Sequence, residues 1–144
     1  MTAMDEFLSR LASPYFRGIY DGLEATWNGR AAALNARCEQ ENLPVRVGNL
    51  SSVWTVQYTE PSRYNWMFQY YLRAEGLALS WVGTGRFIFS LNFTDSDFAE
   101  VEKRFVAAAE KMKRDGWWWH PPTLTNKAIR RQILKEMLAS RFKR

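Results

Sequence analysis

From Phe16 to Cys38 the apolar residues Phe16, Ile19, Tyr20, Leu23, Trp27, Leu34 and Cys38 recur at intervals that place them on one side of an α-helix. A short helical piece, Asp5–Ala12, precedes this run and is cut off at Ser13-Pro14, because proline is tolerated in a first helical turn but not inside a helix. Gly18, Gly22 and Gly29 weaken the long helix, each by about 1 kcal/mol relative to alanine, so a kink or break is expected near Gly29. Asn42-Leu43-Pro44 ends it. The period then drops to two. Val45–Val47 and Ser52–Thr59 read as strands, the second with Val53, Thr55 and Gln57 on one face and Trp54, Val56 and Tyr58 on the other.

Tyr64–Glu75 returns to helix, with Met67, Phe68, Tyr71 and Leu72 as its buried stripe and Gly76 as its stop. Leu77–Trp81, the Val82-Gly83-Thr84-Gly85 turn and Arg86–Phe93 form a strand, turn and strand. Thr94-Asp95-Ser96-Asp97 offers side-chain caps for a helix over Asp95–Asp115, whose inner face is Phe98, Val101, Phe105, Ala108, Ala109 and Met112. Gly116 stops it. After Trp117-Trp118-Trp119-His120-Pro121-Pro122, a last basic helix is capped by Thr125 or Asn126 and carries Ile129, Ile133, Met137 and Leu138 on one side. The expected fold class is α+β: a small, mostly antiparallel four-stranded sheet covered by helices, in a domain over 1–122 with a basic amphipathic tail helix over 123–144.

Composition narrows the function classes. A chain of 144 residues, 47% hydrophobic and 24% charged, can bury a sizeable core as one soluble domain. Cys38 is the single cysteine and His120 the single histidine, which excludes an internal disulfide and any cluster with zinc-ligand spacing. Their bland reading, a small core residue and a loop residue, outweighs a nucleophilic pair, since nothing places an orienting acid beside them. The acidic N-terminus does not read as a secretory signal and no run reaches the ~20 apolar residues of a membrane span, so a cytoplasmic, membrane-free protein is expected. The net charge of +5 is concentrated: residues 126–144 hold seven bases and one acid, a net +6, which leaves the other 125 residues at −1. An electrostatic partner would therefore meet the tail.

Arg86 is the residue that structural reasons account for least, a permanent charge opening an apolar strand just after a Gly-Thr-Gly turn. It would either cap the turn or pair with Glu60 or Asp95, or hold a carboxylate through the two parallel bonds that a planar guanidinium makes. Gly83-Thr84-Gly85 reads as a turn in preference to a phosphate cradle. Glu60, Asp95 and Asp97 read as capping and solvated groups in preference to acid–base catalysts.

The stretch from about Leu34 to Met112, with LPVRVGNLSSVWTVQYT, LRAEGLALSW and GTGRFIFSLNFTDSDF in that order, resembles the C-terminal small domain of class III pyridoxal-phosphate-dependent aminotransferases, the glutamate-1-semialdehyde aminomutase-like branch above all. The resemblance implies a domain beside a large cofactor-binding domain or chain in a homo-oligomeric fold-type-I enzyme, acting on an amino-acid-like carboxylate substrate. It places Arg86 at the position that in several members holds that carboxylate, with Trp81 and Thr84 as substrate-binding neighbours. The large domain, with its Schiff-base lysine, has no counterpart here. All six lysines (Lys103, Lys111, Lys113, Lys127, Lys135 and Lys143) fall on charged helical stretches or at the extreme C-terminus, and a Schiff-base lysine needs a desolvated site. The expectation is thus pyridoxal phosphate in the complete enzyme, none held by this chain alone, and no transamination without a partner.

Two other function classes remain open on the residues. Seven tryptophans and 15% aromatic content suit an interface, since Trp117–Trp119 cannot all point inward, and an assembly or interaction domain is one alternative. A single-stranded nucleic-acid module would use Trp54, Tyr58, Trp81 and Phe87 for stacking and the tail for phosphates. It is the weaker reading because the bases and the aromatic strands occupy different elements.

Overall fold

A computed structural model describes residues 2–80 and 85–142. Helix α1 (Ala3–Leu11) starts at a Thr2 cap, in which the Thr2 side chain and Asp5 satisfy each other's backbone amides. Helix α2 (Pro14–Gln40) runs without interruption, so the break expected near Gly29 does not occur. The reason is tertiary: Trp27, Ala31, Leu34 and Cys38, on both sides of Gly29, are buried in one core and outweigh the glycine propensity cost. The N-terminal half of α2 and all of α1 bury nothing fully; Met4, Phe7, Leu8, Tyr15 and Tyr20 are exposed.

The sheet is antiparallel in the order β1 (Val45–Leu50), β2 (Val53–Tyr58), β3 (Arg86–Ile88). The sequence reading expected four strands and the described residues show three. Within Leu77–Trp81 only Ser80 pairs, its amide donating to the Arg86 carbonyl at 2.8 Å, and Trp81 lies outside the described residues. The expected strand Arg86–Phe93 is shortened: the Phe89 amide still donates to the Ser52 carbonyl at 3.0 Å, and the pairing ends beyond it, where the Phe89 ring packs against Trp27 at 5.0 Å and against Phe93 at 5.4 Å between ring centroids.

Helix α3 (Phe68–Ala74), entered through a 3-10 turn at Asn65–Met67, and helix α4 (Asp95–Arg114) cover one face of the sheet together with α2. The core they share is strongly aromatic: Trp54 meets Trp27 edge-on at 6.0 Å and Phe98 at 5.3 Å, while Phe68 meets Phe105 at 5.2 Å. Arg30 ties α2 to the start of α4. Its Nη2 donates to the Phe93 carbonyl at 3.1 Å and to Asp95 at 2.8 Å, with its guanidinium 4.7 Å from the Trp27 ring centroid. Helix α5 (Asn126–Phe142) is capped by Thr125, whose hydroxyl accepts from the Ala128 amide at 3.2 Å. It touches the body through Ile129 and an Arg63–Glu136 ion pair, and Leu134, Met137, Leu138 and Phe142 are exposed.

Candidate functional site

Among the described residues, helices cover one side of the sheet and leave Leu50, Val53 and Ile88 exposed on the other. Strand alternation sends Val45, Val47, Trp54, Phe87 and Phe89 into the core, and the residues between them project from the open side. The register arranges that open side in three rows. Arg46 stands opposite Gln57; Gly48, Thr55 and Arg86 line up across all three strands; Leu50, Val53 and Ile88 form an apolar row. Leu50 and Ile88 are 79% and 67% exposed, which is unusual for a sheet face unless something covers it.

A groove of about 420 Å³ runs over this face, lined by Gly48, Asn49, Leu50, Val53, Trp54, Thr55, Gln57 and Arg86. Among the described residues it contains a guanidinium, two amides and a hydroxyl, and no carboxylate. Neither acid that the sequence offered to Arg86 reaches it: Asp95 is held by Arg30, and Glu60 lies 3.2 Å from His120 Nε2. Among the described residues Arg86 has no ion pair. Of the three expected substrate-binding residues, Arg86 is exposed on this face, whereas Trp81 and Thr84 lie outside the described residues.

Gln57, Arg46 and Gly48 were not singled out for this site from the sequence. Arg46 Nε donates to Gln57 Oε1 at 3.0 Å, and because a guanidinium can only donate, this bond fixes which end of the Gln57 amide is the oxygen. The Nε2 end lies over Gly48, where a Cβ would come within 2.7 Å of it. The signals were legible in principle: Gln57 shares the Val53–Thr55 face, and a glycine inside a strand marks a close approach.

A larger groove of about 760 Å³ near the end of α2 is lined by Glu39 and Glu60 as well as Arg46 and Lys113, so its charges oppose one another. Lys113 there already donates to the Glu41 and Asn42 carbonyls, each at 3.1 Å.

Other candidate chemistry is occupied by structure. Cys38 is buried, and desolvation, with Glu102 nearby, pushes its thiol up to about 11, the opposite of an activated nucleophile. No group of three or more His, Cys, Asp or Glu able to hold a metal is present among the described residues. The five described lysines are all exposed; Lys103 pairs with Glu100 at 3.7 Å and Lys111 with Glu75. None of the five is the desolvated amine that Schiff-base chemistry needs. The stacking surface of a nucleic-acid module is also corrected: Trp54 and Phe87 are core residues, because they occupy the helix-facing positions of β2 and β3, Tyr58 packs half-buried against the same core, and Trp81 lies outside the described residues. In the tryptophan run, Trp118 is buried, Trp117 half-buried and Trp119 76% exposed.

No protein-family model matches the chain, and no curated protein matches it either. Among the described residues no helix is long and apolar enough to cross a membrane.

Proposed function

We propose that the chain is the C-terminal small domain of a class III aminotransferase-like enzyme of the glutamate-1-semialdehyde aminomutase-like branch, completing the substrate side of an active site whose cofactor and Schiff-base lysine are carried by a large domain or partner chain. The observation that carries this reading is Arg86, a guanidinium with no ion pair among the described residues, on an open sheet face in a groove without a carboxylate. A fixed cation in that setting attracts the carboxylate of an amino-acid-like substrate, and its planar fork orients that group. The apolar surface left for a neighbour supports the same reading: Leu50 and Ile88 on the sheet, and Met4, Phe7, Leu8, Tyr15 and Tyr20 on the N-terminal helices.

In this reading pyridoxal phosphate acts as the electron sink of amino-group transfer, held by the partner. This chain binds and orients the substrate carboxylate, covers it from one side, and excludes water. The test uses the enzyme assembled with the large domain read from the flanking coding sequence. Arg86→Gln should raise KM for a carboxylate-bearing amino donor by about tenfold or more, as expected for loss of a charge-assisted pair. An unchanged KM would remove Arg86 from the substrate site.

The exposed apolar residues of α5, with Trp119, also suit an assembly domain that pairs with another polypeptide without catalysis. The assembled-enzyme assay separates the two readings, since an assembly domain would bind without conferring amino transfer.

A further inference from the structure

The open sheet face holds a second donor beside Arg86, and its orientation is set rather than free. Gln57 can satisfy Arg46 only with its oxygen, at 3.0 Å, so its NH₂ is turned away from Arg46 and over Gly48. Gly48 is what allows this: any side chain there would put a Cβ 2.7 Å from that nitrogen. Gly48, Thr55 and Arg86 occupy one row across the sheet, and the Arg46–Gln57 row lies beside it at about 7 Å, the spacing of two residues along a strand. On the other side, at the same spacing, stand Leu50, Val53 and Ile88.

We propose that Gln57, oriented by Arg46 and accommodated by Gly48, forms with Thr55 and Arg86 a site for a carboxylate whose apolar chain, a few carbons long, lies over Leu50, Val53 and Ile88. Arg86 supplies the charge. Gln57 Nε2 and the Thr55 hydroxyl supply directional donors, and the apolar row selects the chain. Arg46 is a positioning residue: it touches no ligand and acts by keeping the Gln57 oxygen out of the groove, where it would repel a carboxylate. Only the expectation that the ligand is the substrate of an amino-transfer enzyme rests on the reading above; the site itself rests on the geometry of this chain.

The test needs no partner and no cofactor. The full chain, labelled with ¹⁵N, is titrated with hexanoate, with acetate and with hexylammonium, following the Gln57 side-chain NH₂ and the Arg86 Nε–H resonances. Hexanoate should shift both, acetate should shift them with weaker affinity, and hexylammonium should leave them in place. Arg86→Gln should weaken hexanoate by about tenfold or more and Gln57→Leu by about threefold to tenfold, the ranges of a charged and a neutral hydrogen bond. Arg46→Met should move the free-state Gln57 NH₂ resonance and weaken binding, while Arg46→Lys, which retains a donor, should restore part of both. Gly48→Ala should displace the Gln57 resonance before any ligand is added. All of these side chains are on the open face, so folding is checked by the unchanged backbone spectrum of the core.

Failure of hexanoate to shift either resonance at tens of millimolar overturns the proposal, as does an equal response in the Arg86→Gln chain. Such a failure beside working amino transfer in the assembled enzyme would remove this site and leave the enzyme reading standing. Hexanoate binding without amino transfer would do the reverse.

Discussion

Cys38 shows how far a single residue's chemistry is decided by its surroundings. Packed in the core with its thiol raised to about 11, it carries almost no thiolate at neutral pH, and alkylation requires the thiolate. Iodoacetamide at pH 8 should therefore label native protein far more slowly than urea-unfolded protein, with intact mass as the readout; equal rates would place Cys38 at an accessible surface. At the start of α4, Thr94 accepts from the Asp97 amide at 3.2 Å, and Asp97 accepts from the Thr94 amide at 2.9 Å. Thr94→Ala should cost about 1 kcal/mol in urea denaturation. The hydrogen bonds from Thr94 hold the Asp97 carboxyl below its ordinary value of 3.8. A lowered carboxyl contributes stability that is present above 3.8 and fades as the pH falls through the folded-state value. The Thr94→Ala chain should accordingly show a shallower loss of stability than the parent chain between pH 4 and pH 2.

At the scale of elements, periodicity located α2, α4 and β2, because each has one side that faces the core and one that does not, whereas β1 runs on through Gly48 to Leu50 beyond the expected Val45–Val47. Phe98, Phe105, Ala108, Ala109 and Met112 on α4 are buried as the spacing requires, and the β2 faces divide as alternation predicts. The shortened third strand was not legible, since an apolar run reads the same whether it continues a ladder or turns into a core. The pairing ends beyond Phe89, whose ring packs against Trp27, Phe93 and Phe98, which is a tertiary fact. Gly29 failed for the same reason: local propensity argued for a break that long-range burial overrides. A Cβ at Gly29 would meet nothing within 4 Å, so Gly29→Ala should stabilise the chain by about 1 kcal/mol, measured by urea midpoint at constant m-value. Arg86 could be nominated from the sequence, but Gln57 and Arg46 could not be given roles, because the pair forms across two strands and becomes visible only with the register.

At the scale of the whole molecule, the distribution of burial separates a core from surfaces that look outward for partners. Helix α5 buries only Ile129 and adds one exposed ion pair, Arg63–Glu136, so ending the chain after Thr125 should lower stability by only about 1–2 kcal/mol and leave the aromatic core intact. Near-UV circular dichroism and urea denaturation check both halves of that statement. The open sheet face presents Leu50 and Ile88, and the N-terminal helices present Met4, Phe7, Leu8, Tyr15 and Tyr20, as exposed apolar side chains. In the proposed enzyme this domain completes a catalytic site whose cofactor and Schiff-base lysine are carried by a partner. The most direct measurement searches the flanking coding sequence for a large domain with a strand-following lysine, mixes that polypeptide with the chain, pyridoxal phosphate and an amino donor, and follows the cofactor absorbance. Conversion to the pyridoxamine form only when both polypeptides are present, and much slower with Arg86→Gln, is the predicted result. Conversion by the large domain at the same rate without this chain, or none with both, would contradict it.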